Sequence, residues 1–142
     1  MVLTITFFGC KVENQTPQEK SPSRSKIIID PDNCTPVIDP GLIIENATVE
    51  QNQLKLTIRY GGGCGTVENK LLTCGYFMES NPVQLAVALS HKDNDPCKAL
   101  VKKQLDFDLS PLADLYNINY VEQDRVIILR LSGYDEALRY KF

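Results

Sequence analysis

The sequence has few of the residues on which catalysis and nucleic-acid binding commonly depend. It contains no tryptophan and one histidine, and 18 acidic residues outnumber 15 basic ones, for a net charge of −3. Such a chain has too little positive potential to neutralise a run of phosphates, which argues against a nucleic-acid partner. No apolar run reaches the roughly 18 residues of a transmembrane helix. The G-x-S-x-G, H-E-x-x-H and C-x-x-C motifs are also absent.

The composition fits one folded domain. Of the 142 residues, 43% are hydrophobic and 23% are charged. These fractions are near the globular average and exclude a wholly disordered chain, and the length suits one ordinary core. We place this domain at residues 27–142.

The first ten residues have the pattern of an export signal. Met1 to Gly9 are apolar apart from two threonines, and Cys10 follows directly. A short apolar stretch that ends in a small residue is typical of a cleaved signal peptide, here residues 1–9. The Gly9-Cys10 step resembles the lipobox of bacterial lipoproteins. That resemblance implies cleavage after Gly9 and a lipid anchor, with acyl chains such as palmitate, on Cys10. The alternative is a buried N-terminal strand with an ordinary cysteine.

A polar spacer follows this cysteine. Residues 11–26 are rich in Asn, Gln, Ser and Pro, and Val12 is their one aliphatic residue. Such a segment buries too little apolar surface to offset its ordering entropy, so residues 10–26 are predicted to be a lipidated cysteine and a flexible tether. About 16 residues of flexible coil span roughly 20–25 Å, enough to hold a domain clear of lipid headgroups.

Four cysteines remain in the domain, at Cys34, Cys64, Cys74 and Cys97. An even number in an exported domain predicts two disulfides, with three possible pairings. Zinc is the competing interpretation, with His91 as a further ligand. The spacings of 30, 10 and 23 residues contain no C-x2-C pair, which makes zinc the weaker alternative.

Hydrophobic alternation predicts an all-β fold. Residues 53–60 alternate apolar and polar side chains, with the period of two that a half-buried antiparallel strand requires. The same pattern occurs at 83–90, whose second face, including Ala88 and Ser90, is small enough to be covered by another segment. Further strands are predicted at 104–109, at 125–131 as a central strand, and more weakly at 42–44, 71–78 and 140–142.

One helix start is evident. Ser110 and Pro111 predict an N-cap followed by proline at the first helical position, with the helix running to about Tyr116. Short strands separated by turn signals indicate an antiparallel β-sandwich with this short helix and two disulfides.

The most unusual segment is Tyr60-Gly-Gly-Gly-Cys64-Gly65, directly after the best strand. Its backbone N–H groups could hold an anion, although the helix start and the Lys-Ser/Thr of phosphate loops are missing. The favoured interpretation is a bulge or a tight crossing where another backbone packs closely, fixed by a disulfide at Cys64.

A second group of polar residues lies in the predicted loops. His91 precedes Asp93, Asp95 and Cys97, and three more aspartates occupy turns at Asp30, Asp32 and Asp39. A Cys97–His91 nucleophile requires a free thiol, and calcium requires that two of these loops meet. Aspartate also favours turns for backbone reasons alone. We therefore assign no catalytic residue, no metal ligand and no cofactor.

A resemblance extends beyond the signal. The Tyr-Gly-Gly-Gly-Cys segment, the later His-x-x-x-x-Asp-Pro-Cys and the segment Leu-Asp-Phe-Asp-Leu-Ser-Pro-Leu look like those of a group of uncharacterised small lipoproteins from Gram-negative bacteria. The resemblance covers roughly residues 34–142. It implies a Cys64–Cys97 disulfide, which leaves Cys34 and Cys74 as the second pair, and it implies no activity.

These observations favour a lipid-anchored, monomeric protein of the bacterial outer membrane, on its periplasmic or surface face. We expect a binding or structural module whose partner is an envelope protein or glycan. The alternative is a small hydrolase or inhibitor that acts on envelope or extracellular polymers. A deep pocket with convergent carboxylates would favour the enzyme, whereas an exposed apolar patch would favour a protein partner.

Overall fold

A computed structural model describes residues 24–34, 38–121 and 124–142. Within these ranges the chain forms ten strands and one helix. In chain order the elements are β1 (Ser25–Lys26), β2 (Ile28–Ile29), β3 (Ile43–Glu50), β4 (Gln53–Gly62), β5 (Val67–Thr73), β6 (Phe77–Met78), β7 (Val83–Asp93), β8 (Ala99–Asp108), α1 (Ser110–Asn119), β9 (Val126–Leu131) and β10 (Leu138–Lys141).

The strands form two sheets. The first sheet has the order β1-β8-β4-β3, and the second has the order β10-β9-β7-β5-β2, with β6 also paired to β7. Alternate side chains of the long strands are buried between the sheets, among them Leu54, Ile58, Leu85, Phe107 and Leu129. Each such side chain contributes about 1.5–3 kcal/mol of apolar burial. The all-β sandwich with one short helix and two disulfides is confirmed.

The pairing is antiparallel in the longest ladders and parallel in three others. β3–β4, β4–β8 and β5–β7 are antiparallel, whereas β7–β9, β1–β8 and β2–β5 are parallel. The chain leaves β7, passes through β8 in the other sheet and through α1, and then returns as β9. A crossover of that length permits a parallel pair, which a tight turn cannot make. β9 lies between β10 and β7, so its prediction as a central strand is confirmed.

Several boundary predictions are wrong, and β3 and β8 extend well beyond the strands predicted at 42–44 and 104–109. The strand predicted at 71–78 is interrupted, because β5 ends at Thr73 and β6 begins at Phe77. Gly75, between them, has a positive φ of 77°, which a continuous strand does not allow. Ser110 is not the N-cap of α1. Leu109 takes that position, and the Asp108 carboxylate at the end of β8 accepts a hydrogen bond from the Ser110 N–H at 2.9 Å.

The N-terminal part of the described chain links the two sheets. Ser25 and Lys26, which the sequence interpretation assigns to the tether, pair with Phe107 and Asp108 of β8. Ile27 is buried, and Ile28 and Ile29 then pair with β5. The chain therefore crosses from one sheet to the other at Ile27. The ten-residue α1 is the one helix in the described ranges, and it is too short to cross a membrane.

Candidate functional site

Two connections cross at one end of the sandwich. Residues 63–66 lead from β4 to β5, and residues 94–98 lead from β7 back to β8. The Cys64–Cys97 disulfide joins them, with 5.9 Å between the Cα atoms. A Cβ on Gly65 would lie 2.7 Å from the Asp95 Cα, and Gly63 has a φ of 118°. The glycine-rich segment is thus a tight backbone crossing, as the favoured sequence interpretation predicted.

The Asp95 side chain links the two connections at this crossing through hydrogen bonds. Its Oδ2 accepts hydrogen bonds from the N–H groups of Gly63 at 2.5 Å and Cys64 at 2.8 Å, and its Oδ1 accepts one from the Cys97 N–H at 2.9 Å. Burial acts to raise the pKa of Asp95, but backbone N–H groups of Cys97, Gly65, Cys64 and Gly63 outweigh it and hold the pKa below its ordinary value. The anion that the glycine-rich loop binds is therefore the protein's own carboxylate.

The four cysteines within the described residues leave no thiolate for metal binding or nucleophilic attack. Cys64, Cys97 and Asp95 bring potential ligand atoms within 4.8 Å of one another, but the two sulfurs are bonded to each other. Cys34 and Cys74 form the second disulfide, with 4.7 Å between the Cα atoms. Both pairs are those that the sequence resemblance implies. The zinc and Cys97–His91 alternatives, which need free thiols, are wrong.

The Cys34–Cys74 bridge fastens a loop that follows β2 to the end of β5. Asp30 starts this loop, and its Oδ1 accepts hydrogen bonds from the N–H groups of Asp32 and Asn33, both at 3.1 Å. The Asn33 side chain and these backbone groups lower the pKa of Asp30. Asp39 makes a similar turn by accepting from the Gly41 N–H at 2.8 Å. These aspartates build turns, as the backbone explanation predicted.

The bridged loop forms one wall of a groove of about 680 Å³ on the outer face of β5 and β7. Loop residues contribute carboxylates, the strands contribute ammonium groups, and apolar side chains lie between them. The lining residues are Ile28, Asp30, Asn33, Asp39, Pro40, Lys70, Leu72, Ser90, His91 and Lys92. We refer to this feature as the β5–β7 groove.

On the strand side of the β5–β7 groove, Glu68 interacts with both lysines, Lys70 and Lys92. Lys70 Nζ lies 2.7 Å from the Glu68 carboxylate. The hydrogen bond and the charge of Lys70, together with the charge of Lys92, lower the pKa of Glu68. Two ammonium groups therefore share one nearby carboxylate, and this side of the groove carries excess positive charge.

His91 lines the groove, but its ring belongs to the core. The residue is 7% exposed, and its ring centroid lies 4.6 Å from that of Tyr60 in the opposite sheet. Its Nδ1 is 2.8 Å from the Asn69 Oδ1, and its Nε2 is buried with no hydrogen-bond partner among the described residues. The imidazole is thus directed between the sheets and is not presented to a ligand in the groove.

The structure brings together some sequence candidates and separates others. Asp30 and Asp39 share the β5–β7 groove, whereas Asp93 and Asp95 lie at the crossing, where Asp93 accepts from the Asp95 N–H at 2.7 Å. Cys10 and the predicted signal lie outside the described residues. Sequence reasoning missed Lys70, Leu72 and Lys92 as groove residues. The sequence signal for the groove was the face of residues 83–90 that carries small side chains. Ser90, on that face, lies in the floor of the groove.

The fold is similar to that of a known crystal structure. A Bacteroides fragilis protein named “putative lipoprotein” matches with a TM-score of 0.51, over 84% of this chain and 71% of that one, at 14% sequence identity. At this low identity, the structural similarity shows a shared fold alone. No protein-family model matches the chain. No curated protein matches its sequence.

Proposed function

We propose that this protein is a lipid-anchored protein of the bacterial envelope and that its sandwich is a binding module. The observation that carries the proposal is the β5–β7 groove, about 680 Å³ in volume, whose outer wall is fastened by a disulfide. A preformed concave site with an apolar floor and a few polar groups is the usual form of a ligand site.

The anchor is proposed from the N-terminal sequence. Cys10 follows Gly9 at the end of an apolar stretch, and a polar spacer separates it from the domain. The Bacteroides fragilis protein of similar fold carries the name lipoprotein, which agrees with this assignment. We place the anchor in the outer membrane, as the resemblance to small lipoproteins of Gram-negative bacteria suggests.

The charges of the groove indicate the kind of ligand. Carboxylates of Asp30 and Asp39 lie on the loop wall, and the ammonium groups of Lys70 and Lys92 lie on the strand wall. Leu72 provides an apolar surface between them. A complementary ligand carries both signs of charge around an apolar body, as a short peptide segment does. A neutral glycan would desolvate these charges without pairing them.

The anchor is tested by intact mass of the full chain expressed in a lipoprotein-processing host. We expect loss of residues 1–9, a diacyl or triacyl modification on Cys10, and four cysteines that alkylate only after reduction. An unprocessed chain with an unmodified Cys10 would refute the anchor and leave the groove proposal standing.

The groove is tested by nuclear magnetic resonance titration with a blocked tripeptide of lysine, leucine and glutamate. We expect shifts confined to the groove amides, and at least tenfold weaker binding in Ser90→Trp, which fills the floor. Thr57→Trp, on the outer face of the other sheet, is the matched control. Equal binding by a neutral oligosaccharide, or an unchanged affinity in Ser90→Trp, would refute the ligand assignment.

A further inference from the structure

In the part of the chain that the structure describes, one edge of the first sheet is unpaired over most of its length. β8 pairs with β4 along all ten residues, from Ala99 opposite Gly62 to Asp108 opposite Gln53. On its other side β8 pairs with β1 only at Phe107 and Asp108. Among the residues that the structure describes, nothing pairs with the outer edge of β8 between residues 99 and 106.

The direction of the backbone groups on this edge follows from two hydrogen bonds. The Asp108 carbonyl accepts from the Ile27 N–H at 3.0 Å and so points outward, whereas the Leu109 N–H donates to Asn52, on the β4 side, at 2.8 Å. Successive residues of a strand point their N–H and C=O groups to opposite sides. The β4–β8 register has no shift. Four residues therefore present both backbone groups to the open edge, namely Leu100, Lys102, Gln104 and Asp106.

The side chains confirm that the edge is uncovered and show its charge. Lys103 lies opposite Ile58, which is fully buried, yet Lys103 itself is exposed, because no described strand closes this side. Lys98 and Lys102 are also exposed. Lys102 and Arg59 share the single carboxylate of Glu45, at 2.8 and 3.3 Å. Residues 98–106 carry three lysines against the one carboxylate of Asp106, so this edge has more positive than negative charge.

We propose that the outer edge of β8 is a strand-addition site for an acidic, extended segment of another protein. Backbone N–H and C=O groups would give affinity, and Lys98, Lys102 and Lys103 would select acidic side chains. Leu100, 73% exposed, offers the added strand an apolar contact. The site lies on the other sheet from the β5–β7 groove and does not depend on the proposed function of that groove.

The lysines also argue against a second copy of this chain as the occupant. An antiparallel pairing of two β8 edges matches outward-facing residues with each other, so the two registers nearest the centre of residues 99–106 place Lys102 opposite Lys102 or Lys103 opposite Lys103. Like charges directly opposite each other destabilise a strand pair, and lysines on edges are a known barrier to self-association.

The test uses the 15N-labelled full chain and a blocked eight-residue peptide of alternating valine and glutamate. On binding, the outward amides of Leu100, Lys102, Gln104 and Asp106 should become protected from hydrogen exchange. The same peptide with alternate backbone nitrogens methylated, and a valine–lysine peptide, should bind at least tenfold more weakly.

Two protein variants separate backbone pairing from charge. Gln104→Pro removes one outward N–H and leaves the β4 ladder intact, because proline is tolerated where the N–H faces away from the sheet. We expect at least a tenfold loss of peptide affinity, against no loss in Gln104→Ala. If Gln104→Pro does not fold, Lys103→Glu provides the same test through charge.

Three results would overturn the proposal. The first is absence of peptide binding at millimolar concentration. The second is slow exchange of the four outward amides in the free monomer, which would show that another part of the chain already covers the edge. The third is protection that rises with protein concentration, which would identify a second copy as the occupant.

Discussion

The two disulfides of this protein lie in regions with very different surroundings. At the crossing, Cys64–Cys97 is accompanied by the Asp95 carboxylate, which accepts N–H groups from both connections. At the groove loop, Cys34–Cys74 is accompanied by turns in which Asp30 binds residues only two and three positions away. The crossing thus has carboxylate links between distant segments. In the groove loop the Asp30 N–H donates to the Thr73 carbonyl at 3.0 Å, but beyond Asp30 the described loop residues are tied to a distant segment by the bridge and not by hydrogen bonds.

This difference shows that two disulfides closing loops of similar length can differ in how much native structure depends on them. A disulfide stabilises chiefly by restricting the unfolded chain, and that contribution depends on loop length rather than on the native surroundings. What the surroundings determine is how much native structure survives without the bridge. The crossing should keep its arrangement when reduced, and the groove loop should not.

The largest expected effect comes from removing each bridge. The closed loops have similar sequence separations of 40 and 33 residues. The paired substitutions Cys34→Ser with Cys74→Ser, and Cys64→Ser with Cys97→Ser, should each cost about 4 kcal/mol in the free energy of unfolding. Urea denaturation measures this cost.

Hydrogen exchange then distinguishes the two regions. Loss of Cys34–Cys74 should expose the amides of Asp32 and Asn33, whereas loss of Cys64–Cys97 should leave the Gly63 and Cys97 amides protected by Asp95. The reverse pattern would show that the groove loop, and not the crossing, is held by non-covalent contacts.

A smaller effect is expected from filling the crossing. Gly65→Ala places a Cβ 2.7 Å from the Asp95 backbone, so one connection has to move. We expect a loss of about 1–3 kcal/mol. Gly61→Ala is the matched control, since a Cβ there has nothing within 4 Å, and it should change stability by less than about 0.5 kcal/mol. Equal effects of the two substitutions in thermal denaturation would contradict a close backbone approach at Gly65.

The smallest effect is a pH dependence from Asp95. Its pKa is lower in the folded chain than the ordinary 3.8, so the ionised carboxylate stabilises the fold at neutral pH. That contribution is present above pH 3.8 and is lost as the pH falls through the folded pKa. The melting temperature should therefore fall less steeply below pH 4 in Asp95→Asn than in the natural sequence. Asp135→Asn, at an exposed carboxylate, should keep the natural slope. Equal slopes for all three proteins would show that Asp95 is not the cause of the pH dependence.

Some of this architecture follows from short-range patterns. The alternation of Leu54, Leu56 and Ile58 predicts β4 because period two places these residues on one face whatever the partner strand is. The glycine-rich segment 61–65 predicts a close approach, which occurs at Gly65, because only a residue without a Cβ tolerates it. Neither inference requires knowledge of distant residues.

Other features depend on distant residues and were missed. The break between β5 and β6 contains Gly75, with its positive φ, beside Cys74, which bonds to a residue 40 positions earlier. The hydrogen bond from the Gly63 N–H to the Asp95 carboxylate joins residues 32 positions apart. The β5–β7 groove combines outward side chains of two strands with a loop from near the N-terminus, and such outward positions look like ordinary solvated surface in a linear sequence.

The sequence by itself determined the all-β class, the buried faces of β4, β7 and β8 and the glycine crossing, because these depend on side-chain period and backbone sterics. Its resemblance to small lipoproteins implied the disulfide pairing. Tertiary structure alone decided the parallel pairs, the carboxylate that fills the glycine loop, the groove and the open edge of β8. These features depend on which segments far apart in the chain come into contact. Local sequence preferences do not determine those contacts.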